Sequence, residues 1–154
     1  MRETKSHLSV ALLAACFYGW LLLGALGCAG VEVVSNVPLP AYEIGQPLPT
    51  DPPEVGQLLG VWNGNWGGLD SILVVTEIKV TEKRAKVIYA WGDNPSWNTT
   101  KGYQQVIASF VSGAEPTIRW GRTIQFEFIL KKGKLVGSRQ TGGSSTWVTM
   151  TKKP

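Results

Sequence analysis

Histidine is nearly missing from this chain of 154 residues: His7, close to the start, is the only one. Nucleophilic machinery of the Ser-His or Cys-His kind therefore has almost nothing to draw its base from. Cysteine is scarce too, limited to Cys16 and Cys28, so zinc sites assembled from His and Cys lack ligands. Charged residues make up only 17% of the chain, and the basic ones are scattered apart from Lys131-Lys132-Gly133-Lys134 and Lys152-Lys153. Nucleic-acid binding needs a clustered basic face, so no nucleic-acid partner is expected. The glycine-rich stretch Gly142-Gly143-Ser144-Ser145 lacks the Lys-[Ser/Thr] and the helix of a phosphate loop. It reads as a turn, and no cofactor or metal is expected.

What is present begins with an apolar run. Residues 1–9, MRETKSHLS, form a short basic head, and residues 9–27, SVALLAACFYGWLLLGALG, carry no charge. A positive head, an apolar middle and a small-residue end make an export signal. The run is also near the length of a membrane span, so an uncleaved anchor is the alternative. Ala25-Leu26-Gly27-Cys28 resembles the lipobox of bacterial lipoproteins, although Ala25 and Leu26 are exchanged relative to its commonest form. That resemblance implies a signal peptide over 1–27 and lipid carried on Cys28, which would anchor the chain to a bilayer in the cell envelope. Ala29 stands where Asp would imply retention at an inner membrane, which favours the outer membrane if the host has one. Cleavage there would remove His7 and Cys16 and leave Cys28 as the last thiol, with no disulfide possible.

Residues 28–57 hold Pro38, Pro40, Pro47, Pro49, Pro52 and Pro53. Proline fixes φ and removes backbone donors, so this segment is expected to be a tether without regular structure, extended by roughly 3 Å per residue where it is polyproline-like. The alternative is that Val34, Val37 and Tyr42 pack along the following domain.

From Leu58 to the end, over 58–154, the apolar period is two rather than 3.6. Trp62, Gly64 and Trp66 share a face of a first strand. Ile72, Val74, Thr76, Ile78 and Val80 share a face of a second, with Glu77 and Lys79 opposite. Ala85, Val87, Tyr89 and Trp91 follow on a third. Val106, Ala108 and Phe110 mark a fourth, and Ile118 and Trp120 a fifth. Ile124, Phe126, Phe128 and Leu130 alternate with polar residues on a sixth. Leu135, Gly137 and Arg139 form a seventh beyond the hairpin turn Lys131-Lys132-Gly133-Lys134, and Trp147, Thr149 and Thr151 mark an eighth. About 95 residues is small for a sandwich of two full sheets. Closing them removes exposed edges. The expected fold is all-β, a small antiparallel up-and-down barrel whose interior holds side chains or one small ligand; the alternative is a half-open sheet curled over its own core.

Gly60-Val61-Trp62 on the first strand resembles the G-x-W signature of lipocalins and avidins, the calycin barrels. The resemblance implies that Trp62 packs across a closed end, against an Arg from a late strand, with Arg139 the best-placed candidate and Arg119 or Arg122 the others. The avidin signature continues to an Asn that contacts biotin, but Gly64 stands at that position here. Bacterial lipocalin lipoproteins share this leader-plus-barrel plan, with a longer chain and an extra helix.

The connection Trp91-Gly92-Asp93-Asn94-Pro95-Ser96-Trp97-Asn98-Thr99-Thr100 combines indoles with amides and a carboxylate. Ring faces beside polar groups suit sugars or polar planar ligands, and loops on a rigid scaffold often carry function. The alternative makes Trp91 a core residue and Trp97 a lid. Candidate ligand contacts are Trp62, Trp66, Tyr89, Trp91, Trp97 and Phe126, with Trp62 and Trp66 also readable as core. Asp70, Asp93, Glu115 and Glu127 are the only candidates for a paired-carboxylate mechanism, and nothing in their spacing brings two together, so no catalytic residue is expected. Two functions follow: an envelope-anchored barrel holding a small apolar, aromatic or sugar-like ligand, or a filled barrel that docks to a protein or glycan.

Overall fold

A computed structural model describes residues 32–34 and 36–154. The leader over 1–27 and the lipidation site Cys28 lie outside the described residues. Eight strands form the main body: β3 (Gly60–Asn65), β4 (Asp70–Lys79), β5 (Arg84–Trp91), β6 (Gly102–Val111), β7 (Thr117–Trp120), β8 (Ile124–Lys131), β9 (Lys134–Thr141) and β10 (Ser144–Lys152). Each pairs antiparallel with the next, and β10 returns to β3 through Thr151↔Asn63 and Lys152↔Trp62, closing the barrel. The all-β, eight-stranded, up-and-down fold is as the alternation of side chains requires. Two hairpins are tied by positive φ at both central residues, Lys132 and Gly133 (51° and 75°) and Gly142 and Gly143 (53° and 89°). This backbone matches the right-handed twist of flanking strands.

The inward faces of β5, β6, β8 and β9 follow the sequence alternation. Strand β4 does not. Leu73 and Val75 point into the barrel, while Ile72 and Val74 face outward. A bulge between Val75 and Glu77 then reverses the parity, so that Ile78 turns inward. An extra residue on one strand has this effect on all that follows. The run Ile72-Leu73-Val74-Val75 is apolar on both faces, so its sequence holds no parity to read. In β10, Val148 and Met150 enter the core, and Trp147, Thr149 and Thr151 lie on the outer face, with Trp147 63% exposed.

The proline-rich segment is not without regular structure. Glu32–Val34 (β1) and Val37–Leu39 (β2) pair as a hairpin. Val37 and Leu39 are buried with Ile72, Val74, Ile88 and Ala90, with Tyr42 packed beside them. A second apolar layer thus covers the outside of β4 and β5. Their doubly apolar sequences exist to be buried on both sides, and that burial outweighs the cost of ordering a proline-rich chain.

Helix α1 (Pro53–Leu58) carries Pro53 in its first turn, a position where the missing N–H is no loss. Val55 and Leu58 join the main core. The Trp62 indole N–H donates to the Leu58 carbonyl at 2.9 Å, and Trp62 is 1% exposed. One end of the barrel is therefore plugged. Lys152, from the last strand, donates to the Gly56 and Gln57 carbonyls at 3.3 and 2.8 Å, and its ammonium lies 5.6 Å from the Trp62 ring centroid. Partial burial lowers its pKa from the usual lysine range. Lys152→Met keeps the stem and removes the ammonium. It should lower stability by about 1 kcal/mol through the lost helix-end bonds, read as a shift in the urea midpoint at constant slope.

Candidate functional site

Alternate turns of an up-and-down barrel share an end. The helix and the turns around residues 80–83, 112–116 and 132–133 lie at the plugged end, and those around 66–69, 92–101, 121–123 and 142–143 form the other. At this second end lies an open cavity of about 320 Å³, inside the range of small-molecule sites. Tyr89 and Trp91 line it from β5, Gln104 from β6, Trp120 from β7, Ile124 and Phe126 from β8, and Arg139 from β9, with Leu69, Thr99 and Gly121 at its rim.

The walls are mostly aromatic. The Tyr89 and Phe126 rings lie 4.9 Å apart, and Trp120 stacks on Phe126 at 5.0 Å with 16° between planes. Trp66 meets Phe126 and Phe128 edge-on at 6.2 and 6.1 Å, in the geometry that aromatic quadrupoles favour. Burial pushes the Tyr89 phenol up to about 12, opposed by the neighbouring Trp66 indole, Ser71 hydroxyl and Arg139 charge. The phenol therefore stays neutral and able to donate. The indole N–H groups of Trp66 and Trp120 are buried without a well-made hydrogen bond.

The 92–101 connection is tightly tied. Asn94 and Thr99 bridge through two backbone bonds of 2.8 and 3.0 Å. The Asn94 side chain accepts from the Trp97 N–H at 3.1 Å and caps a short 3-10 turn, Pro95–Trp97. Asp93 accepts from the Lys101 N–H at 2.8 Å. With the Asn36 amide oriented to satisfy both groups, its nitrogen donates to Asp93 Oδ2 at 3.1 Å and its oxygen accepts from the Asp93 N–H at 3.0 Å. The hairpin of the tether thereby grips the root of the loop. Trp91 is fastened by its indole N–H to the Thr100 carbonyl at 2.9 Å.

The structure separates the residues that the sequence nominated. Tyr89, Trp91 and Phe126 line the cavity. Trp97 stands half-buried with the Arg139 guanidinium 5.4 Å from its ring centroid. Trp66 is buried and packs behind Phe126 rather than lining the wall. Trp62 belongs to the plug at the opposite end. The partner expected for Trp62 is also different: Lys152 covers it, and Arg139 faces the mouth. Arg139 lies two residues before the Gly142–Gly143 turn's strand end, Thr141, and that turn belongs to the mouth. Counting turns by parity would have placed it there. The same count finds Trp120 and Ile124, which flank the 121–123 turn and were readable only as core.

The four carboxylates have other partners. Asp70 accepts from the Asn65 amide at 2.7 Å, Glu115 pairs with Lys131 at 3.2 Å and Glu127 with Arg119, and Asp93 holds the loop. None of them lines the cavity. Among the described residues no group of three His, Cys, Asp or Glu side chains is placed to hold a metal.

Fold and site together define a closed eight-stranded antiparallel barrel, plugged at one end and open onto an aromatic cavity at the other. Comparison of the chain with protein-family models, with curated proteins and with solved structures finds no match.

Proposed function

We propose that the protein is a lipid-anchored barrel of the calycin type in a bacterial cell envelope, and that its open end binds a small apolar or aromatic ligand. The observation that carries the binding part is the asymmetry of the barrel. Trp62, Val55 and Leu58 fill one end, while the other keeps a cavity walled by Tyr89, Trp91, Trp120 and Phe126. A barrel serving only as a filled scaffold has no need of an open aromatic mouth. The role is one of binding rather than catalysis. The anchoring part rests on the leader and on Cys28 at its end.

Two measurements test these parts separately. Cys28→Ala should move the protein from the membrane fraction to the soluble fraction. If the variant stays in the membrane, the apolar run is an uncleaved anchor and the lipid assignment fails. Native mass spectrometry of the mature chain, purified without denaturant, should show a retained small molecule that is released on unfolding. The mature chain is used whole because Val37, Leu39, Val55 and Leu58, ahead of the barrel strands, are buried.

A second reading, docking of a protein or glycan to the barrel surface, is favoured by Trp147, Ile107 and Val111, which are large, apolar and exposed. An empty cavity in the mass spectrum, together with loss of envelope partners on Trp147→Ser, would favour it.

A further inference from the structure

The cavity lining is apolar and aromatic but for Thr99, Gln104, the Tyr89 phenol and one charge, Arg139. No acidic side chain lines it. Arg139 is on the inward face of β9, opposite Phe126 on β8 and Thr146 on β10. It is half-buried, and among the described residues it forms no ion pair, whereas Arg84 and Arg119 are each paired with a glutamate. Its guanidinium lies 5.4 Å from the centroid of the Trp97 ring. A cation over an indole is stabilised, but a ring face leaves the guanidinium's hydrogen-bond donors unused. Its planar fork of five donors is matched by a carboxylate or similar oxyanion.

We infer that the ligand is an aromatic acid: a flat apolar body seated against Tyr89, Trp91, Trp120 and Phe126, ending in a single oxyanion that Arg139 receives at the mouth. This rests on the binding function proposed above and specifies its ligand class. The positions agree with it. The rings lie along β5, β7 and β8, and the cation stands on β9, next to Phe126 across the β8–β9 ladder and close to the rim turn. Tyr89 is a neutral donor close enough to Arg139 to feel its charge, and Gln104 adds an amide on the facing strand. An oxyanion would take over the donors that Trp97 leaves free, with the indole remaining above as a cover.

The test uses two fluorescent probes that share an aromatic body and differ in charge, 1-anilinonaphthalene-8-sulfonate and the neutral N-phenyl-1-naphthylamine. The mature chain should bind both. Arg139→Gln should weaken the sulfonate probe roughly tenfold to a hundredfold, the range of a lost charge-assisted bond. The neutral probe should change by no more than about twofold, and Arg139→Lys should restore part of the sulfonate affinity. Trp91→Ala should weaken both probes, which places them in the mouth. Equal weakening of both probes by Arg139→Gln, or no weakening of either, would overturn the oxyanion assignment and leave the binding function standing. Failure of the mature chain to bind either probe would overturn the binding function and the assignment with it. Thermal melts of each variant show that the barrel is intact, and Arg139→Lys keeps the test decisive if the glutamine variant melts early.

Discussion

Trp62→Ala is expected to destabilise the protein by about 3–5 kcal/mol, the cost of emptying a large aromatic site in a packed core. The melting temperature should fall by on the order of ten degrees or more. The reason is position. Trp62 lies on the first barrel strand beneath α1, is 1% exposed, and spends its indole N–H on the Leu58 carbonyl. Lys152 covers its other side. Removing the ring opens a void between helix and barrel, leaves the Leu58 carbonyl without its donor and takes away the ring face under Lys152. Trp62→Phe separates the two contributions: it keeps most of the apolar bulk and loses the hydrogen bond, and should cost about 1–2 kcal/mol. If Trp62→Ala instead left the melting temperature unchanged and altered only ligand retention, the plug role would be wrong.

Gly137→Val should be nearly as damaging. Gly137 is inward-facing on β9, with Phe128 beside it on β8 and Val148 beside it on β10. A Cβ there would sit 2.5 Å from Phe128 Cε1 and 2.8 Å from Val148 Cγ1. Both side chains are in the core and have nowhere to retreat. Overpacking of this kind costs about 1–3 kcal/mol for a methyl group and more for a branched side chain. Gly137→Ala should fall within that range and Gly137→Val above it, read from urea unfolding. Combining Gly137→Ala with Phe128→Leu should show a favourable coupling, because the smaller side chain makes room for the methyl. An unchanged midpoint for Gly137→Ala would mean that the Phe128 ring can move aside.

These two sites differ in how far the sequence announces them. Trp62 lies in a Gly-x-Trp stretch on an alternating strand, and its burial was readable. Gly137 is one glycine among 18. Its necessity comes from which ring faces it across the ladder, and register is a tertiary matter. The same distinction runs through the mouth. Tyr89, Trp91 and Phe126 were readable because apolar alternation assigns them inward and a long polar-aromatic loop follows Trp91. Arg139 was readable as inward, and its place at the mouth follows only once all eight strands and their turns are counted. Its end of the barrel depends on how many strands precede it and on which turns come together.

Parity of side chains along β5, β6, β8 and β9, the two-residue turns and the absence of helical periodicity were enough to specify an eight-stranded antiparallel barrel, because each is a local rule of backbone geometry. Local rules fail where a strand is apolar on both sides. There the bulge after Val75 and the docking of Val37 and Leu39 chose which face looks inward. Only the closed structure decided that Lys152, not Arg139, lies over Trp62, and that Arg139 lines the aromatic cavity without an ion-pair partner among the described residues. Those outcomes depend on contacts between residues distant in sequence, which burial and ring closure settle together.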